Sequence, residues 1–102
     1  MVGLLSAGAL AAMLHAEAAA HQAAAGWSYG VECCSSLDCF QAPPGAVAET
    51  PLGYRVESTG ELIPYADSRI KRSRDEFFHR CSPGGDNGAK RSICLYVPDR
   101  GF

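Results

Sequence analysis

Six side chains hold most of the chemistry this sequence could perform: Cys33, Cys34, Cys39, Cys81, Cys94 and His79. Thiolates and imidazole together have the composition of a zinc or copper site. His79 and Cys81, two residues apart, would share one face of a strand. The spacing argues against a thiolate metal centre, because neither paired C-x-x-C knuckles nor H-x-x-x-H is present. Thiol–disulfide exchange commonly uses C-x-x-C at a helix N-terminus, where the attacking thiol is acidified. Here the cysteines are vicinal or spaced C-x4-C, in a segment without helix signals. A Cys–His–acid set can be assembled from a leftover cysteine, His79 and Asp38 or Asp86, but its cysteines are better explained as structural. Gly84-Gly85-Asp86-Asn87-Gly88 resembles a calcium loop in composition only, without the alternating acids and closing glutamate. No phosphate loop or dinucleotide fingerprint exists. The residues predict disulfides rather than catalysis, and no cofactor.

Disulfides require an oxidising compartment, and the N-terminus supplies a route to one. Val2 to Leu14 is an uncharged run of 13 residues, the length of a signal-peptide core and short of the ~18 that suggest a membrane span. Ala16-Glu17-Ala18 and Ala18-Ala19-Ala20 follow, with small residues where signal peptidase cuts. Residues 1–20 are read as a signal peptide and 21–102 as the mature domain, periplasmic or secreted, with no membrane span of its own. Cleavage beside His21 would leave that histidine at or near a free amine, a second way to hold copper or nickel. His21 and His79 are thus the metal-binding alternatives.

A mature domain of about eighty residues is one at which a core supplies only about 3–5 kcal/mol. One bridge across such a domain contributes about 3–4 kcal/mol in the chain-entropy model, so the staples are expected to be essential. Five is an odd number, and one thiol is left over unless it pairs between molecules. Adjacent Cys33 and Cys34 point apart in an extended segment and seek different partners. The cluster Cys33, Cys34 and Cys39 is expected to be tied to the C-terminal half through Cys81 or Cys94, with the leftover thiol in the cluster. Which cysteines pair stays open. The whole chain has nine basic and eleven acidic residues, too balanced to steer nucleic acid or an anionic membrane. Arg69, Lys71, Arg72, Arg74 and Arg80 cluster, but the acids among them suggest a solvated loop.

These residues must be positioned by short strands. Trp27, Tyr29 and Val31 alternate as a half-buried extended segment. Gln41-Ala42-Pro43-Pro44-Gly45 stops any element. Ala46–Glu49, Tyr54–Glu57 and Glu61–Tyr65, separated by turns at Pro51-Leu52-Gly53 and Ser58-Thr59-Gly60, read as a three-stranded meander. Ser73-Arg74-Asp75-Glu76 matches a helix capping box, yet Pro83 leaves little room for a helix. A turn at Arg74-Asp75-Glu76 into a strand Phe77–Cys81 is preferred. Ser82–Gly88 reads as a mobile loop and Ser92–Val97 as the clearest strand. The predicted fold class is mainly β, a small disulfide-stapled antiparallel sheet domain behind an N-terminal signal-peptide helix. Its core would draw on Trp27, Tyr54, Val56, Leu62, Ile63, Tyr65, Phe77, Phe78, Leu95 and Val97, among others.

Trp27-Ser28-Tyr29, the block Cys33-Cys34-Ser35-Ser36-Leu37-Asp38-Cys39, Ile63-Pro64-Tyr65, Phe78-His79-Arg80-Cys81 and Cys94-Leu95-Tyr96-Val97-Pro98 together resemble small exported, cysteine-containing hypothetical proteins of alphaproteobacteria. The resemblance covers nearly all of the mature chain and implies export and a shared fold. It carries over no catalytic residue. The expected function is that of a non-catalytic binding or envelope-accessory module with a protein or envelope partner. A periplasmic copper- or zinc-binding protein and a cysteine-dependent thiol-exchange enzyme are the alternatives.

Overall fold

A computed structural model describes residues 22–34 and 37–99. The expected signal peptide, residues 1–20, and His21 lie outside the described residues. Seven strands follow in order: β1 (Cys39–Gln41), β2 (Val47–Thr50), β3 (Gly53–Val56), β4 (Glu61–Ile63), β5 (Ile70–Arg72), β6 (His79–Cys81) and β7 (Cys94–Val97). The domain is mainly β, as expected.

The meander is β2-β3-β4, fully antiparallel, with Val47 opposite Val56 and Tyr54 opposite Ile63. Because side chains alternate, the rungs Val47–Val56–Glu61 and Glu49–Tyr54–Ile63 share one face, while Ala48, Arg55 and Leu62 point the other way. Leu62 and Ile63 cannot both be inside, and Leu62 is the one left exposed. Tyr65, also expected in the core, lies exposed past the end of β4 and donates its hydroxyl to the Thr50 carbonyl. Gly53 opens β3 at φ +149°, where an added Cβ would collide with the Ile63 carbonyl. Glycine is required there because two backbones approach closely.

The second sheet has the order β1-β6-β7-β5. It departs from the expected antiparallel arrangement at one pair. The last strand, β7, inserts between β6 and β5, antiparallel to the first and parallel to the second. The capping-box match at Ser73 is a turn instead of a helix start. The Asp75 carboxylate accepts the Phe77 N–H at 2.9 Å, closing an Asx turn that competes with helix, and the strand begins at His79.

Opposite faces of this four-stranded sheet hold two cores. Phe40, Arg80, Leu95 and Ile70 share a rung. Leu95 packs with Val56 and Ile63 of the meander, with Val47, Tyr54, Ile70, Phe78 and Val97 around them. On the other face lie Cys81, Cys94 and Tyr96, covered by the N-terminal segment through Ala23, Trp27, Tyr29, Cys33 and Cys34. That segment is not the regular strand its alternation suggested. A single bridge, Gln22 to Ser28, precedes a turn at Val31–Cys33, and Val31 is 89% exposed.

Two disulfides join the cysteine cluster to the C-terminal half: Cys33–Cys94 and Cys39–Cys81. Cys39, Cys81 and Cys94 stand on one rung of β1-β6-β7, so both bridges lie on the same face. Cys34 takes part in neither and is buried.

Candidate functional site

The face under the N-terminal segment contains a chain of buried polar groups. His79, fully buried on β6, places Nε2 2.8 and 2.9 Å from the two Asp75 carboxylate oxygens. Its Nδ1 is 2.8 Å from the Tyr29 hydroxyl. Trp27 donates its indole N–H to Asp75 at 2.8 Å, and Ser73 Oγ lies 3.1 Å from the same carboxylate. Tyr96 completes the group, accepting the Gly30 N–H on its hydroxyl at 2.8 Å. Trp27 packs edge-on against Tyr29, His79 and Tyr96, with ring centroids 5.0, 4.9 and 5.3 Å away.

The electrostatics fix the protons. Burial works to raise the Asp75 pKa. Hydrogen bonds from His79, Trp27 and the Phe77 N–H outweigh it and bring the group from 3.8 to about 2. An ionised carboxylate only accepts, so Nε2 of His79 carries a proton. In the neutral imidazole Nδ1 then accepts, and Tyr29 donates to it. Burial, with the Asp75 charge adding to it, pushes the Tyr29 phenol up to about 12, so it remains protonated.

The other face holds a second network, which spans the two sheets. Glu61 of β4 accepts from the Ser92 N–H at 2.9 Å, the Ser92 hydroxyl at 2.6 Å and Arg69 at 3.0 Å. Burial opposes its ionisation, but the Ser92 and Arg69 hydrogen bonds hold its pKa below the usual value. Arg80, only 1% exposed, gives Nε to Ser92 Oγ at 2.8 Å and its two Nη groups to the carbonyls of Asn87 and Ala89. The basic cluster is therefore not a solvated loop throughout. Arg80 is a buried strut and Arg69 is clamped between Asp67 and Glu61. The Asn87 carbonyl of the Gly84–Gly88 segment thus faces the Arg80 guanidinium.

The residues singled out by sequence fall into three groups. Cys33, Cys39, Cys81 and Cys94 are spent in bridges. His79 has both ring nitrogens engaged, by Asp75 and Tyr29, not by Asp38 or Asp86, which accept the N–H groups of Gly84 and Gly88. His21 lies outside the described residues. Among the described residues no group of three or more His, Cys, Asp or Glu is arranged to hold a metal ion. Sequence reasoning missed Asp75, Tyr29, Tyr96, Glu61 and Ser92. One signal was available: Trp27, counted as core, and Tyr29, read as half-buried, need partners for N–H and O–H.

At the surface, Val31 is 89%, Leu52 73% and Leu37 67% exposed. A cleft of ≈ 330 Å³ lies between Pro43, Pro44 and Val47 on one side and Phe77 and Phe78 on the other. Among the described residues no helix is long and apolar enough to cross a membrane. Comparison with protein-family models, with curated proteins and with solved structures finds no match to this chain.

Proposed function

We propose that this chain is an exported, disulfide-stapled binding or envelope-accessory module, non-catalytic, with residues 1–20 as its export signal and a protein or envelope component as its partner. One observation supports this above the others. Val31 and Leu37 are large, exposed apolar side chains, each two residues from a bridged cysteine, Val31 from Cys33 and Leu37 from Cys39. Apolar side chains held out on covalently fixed backbone can be covered by a partner at little ordering cost. The buried polar side chains Ser73, His79, Arg80 and Ser92, by contrast, are engaged in hydrogen bonds inside. Two disulfides and the resemblance to exported alphaproteobacterial proteins support the compartment. The copper- or zinc-binding and thiol-exchange readings rank behind, because both His79 nitrogens are engaged and Cys34 is only 3% exposed.

A photo-crosslinking residue placed at Val31 or Leu37 in producing cells tests the reading. The expected result is a discrete adduct in the envelope fraction on a chain beginning between Ala19 and Trp27, with no such adduct from the exposed control position Glu57. An intact cytoplasmic chain starting at Met1, or equal labelling from all three positions, would overturn it.

A further inference from the structure

The buried chain Tyr29–His79–Asp75 does more than satisfy hydrogen bonds. A phenol gives up an electron at an accessible potential only if its proton leaves at the same time, because the protonated radical is a very strong acid. Most buried tyrosines have no base to receive that proton. Buried Tyr96 receives a backbone N–H and exposed Tyr65 donates to a backbone carbonyl, and neither partner takes up a proton at neutral pH. Tyr29 faces an imidazole nitrogen at 2.8 Å, on a ring held from behind by a carboxylate. That carboxylate would stabilise the imidazolium formed, as in acid–base triads.

We infer that Tyr29 is a built site of reversible one-electron oxidation, its phenolic proton passing to Nδ1 of His79 while the electron leaves through Trp27 to a strong outer-sphere one-electron oxidant such as a ruthenium(III) polypyridine complex. The step balances. Tyr29 loses one electron and one proton and becomes a neutral phenoxyl, the oxidant gains the electron, and the O–H bond is replaced by N–H on His79. Nε2–H continues to donate to Asp75, so the net gain of one positive charge rests on an imidazolium facing a carboxylate. Reduction by one electron returns the proton along the same 2.8 Å path. Trp27 is the half-buried ring of the cluster, 5.0 Å from Tyr29 between centroids, and gives the electron a way out while His79 stays fully enclosed. The raised phenol pKa closes the alternative path through a preformed phenolate, since that species is scarce at neutral pH. Oxidation must therefore be coupled to the proton step.

The probe is photogenerated ruthenium(III) tris-bipyridine, added to the folded, oxidised full chain and followed by transient absorption and by electron paramagnetic resonance after freezing. A tyrosyl radical is expected. In a Tyr65→Phe background, which removes the exposed phenol, Tyr29→Phe abolishes it, whereas Tyr96→Phe leaves it. His79→Gln slows its formation by about a hundredfold, the lower part of the range for removing a positioned base. In wild-type protein the oxidation rate should be slower in deuterium oxide and insensitive to buffer concentration, because the proton goes to His79 and not to a buffer base. A radical undiminished in Tyr29→Phe, a rate unchanged in folded His79→Gln, or a wild-type rate that rises with buffer concentration, as for a phenol losing its proton to solvent base, would each overturn the inference.

Discussion

Asp75 is the residue on which the N-terminal segment depends. It accepts hydrogen bonds from the nearby Phe77 backbone and His79 and from Trp27, 48 positions away, tying the N-terminal segment to the turn before β6. The folded state holds its pKa at about 2, below its ordinary 3.8. A lowered folded-state pKa contributes stability that is complete above the unfolded value and lost as pH falls through the folded one. Stability from this group is thus full above about pH 4 and lost towards pH 2. Asp75→Asn should cost about 2 kcal/mol at neutral pH, the scale of hydrogen bonds to a charged group. It should also flatten the acid slope in that window. Some slope remains, because hydrogen bonds from Arg69 bring Asp67 to about 2 as well. Urea midpoints measured against pH for both proteins check this, and parallel curves would contradict it. At this scale the sequence was only half legible. The cysteines and His79 stood out by type, but Asp75 and Tyr29 gain their roles only when Tyr29 and His79, fifty positions apart, are brought into contact.

The elements were legible where turn chemistry marks them. The meander follows from Pro51-Leu52-Gly53 and Ser58-Thr59-Gly60 between alternating residues, and β7 from its run of Ile, Leu, Tyr and Val. β1 and β5 were not legible. Cys-Phe-Gln and Ile-Lys-Arg are three residues each, too short to show a period, and they are strands because β6 and β7 supply ladder partners. The segment after β6 is a loop, as its composition indicates, but the expectation of a mobile one took no account of Arg80. Its guanidinium draws in the carbonyls of Asn87 and Ala89 and reaches Ser92, tying the loop to β6. Arg80→Ala removes the guanidinium from Ser92 and from the carbonyls of Asn87 and Ala89, and leaves Glu61 with Arg69 as its cation. The cost should be about 3–5 kcal/mol, the range for breaking a buried charged network from one side. Hydrogen exchange should show residues 86–92 losing protection more than the meander does. A variant within about 1 kcal/mol of wild type, as for surface changes, would contradict the strut role.

For the molecule as a whole, the two bridges fix what a small core cannot. They close loops of 61 and 42 residues, each contributing about 4 kcal/mol in the chain-entropy model, comparable with everything a core this size supplies. Cys33–Cys94 fastens the N-terminal segment over the aromatic face, and Cys39–Cys81 locks β1 to β6 across a directly opposed pair. Spacing could place the cluster against the C-terminal half. It could not choose partners, since that choice depends on the turn at Val31–Cys33, which directs Cys33 to β7 and leaves Cys34 beside Tyr29 and Tyr96. The chemistry-bearing side chains hold the fold together, and the arrangement stands or falls with this connectivity. Disulfide mapping tests it most directly. The unreduced protein is alkylated in denaturant, cut with chymotrypsin after Leu37 to part Cys33 and Cys34 from Cys39, and cut further with trypsin before mass spectrometry. The expected result is alkyl label on Cys34 alone, with linked peptides joining Cys33 to Cys94 and Cys39 to Cys81. A linked peptide carrying Cys34 in a bridge, or label on Cys81 or Cys94, would contradict the account.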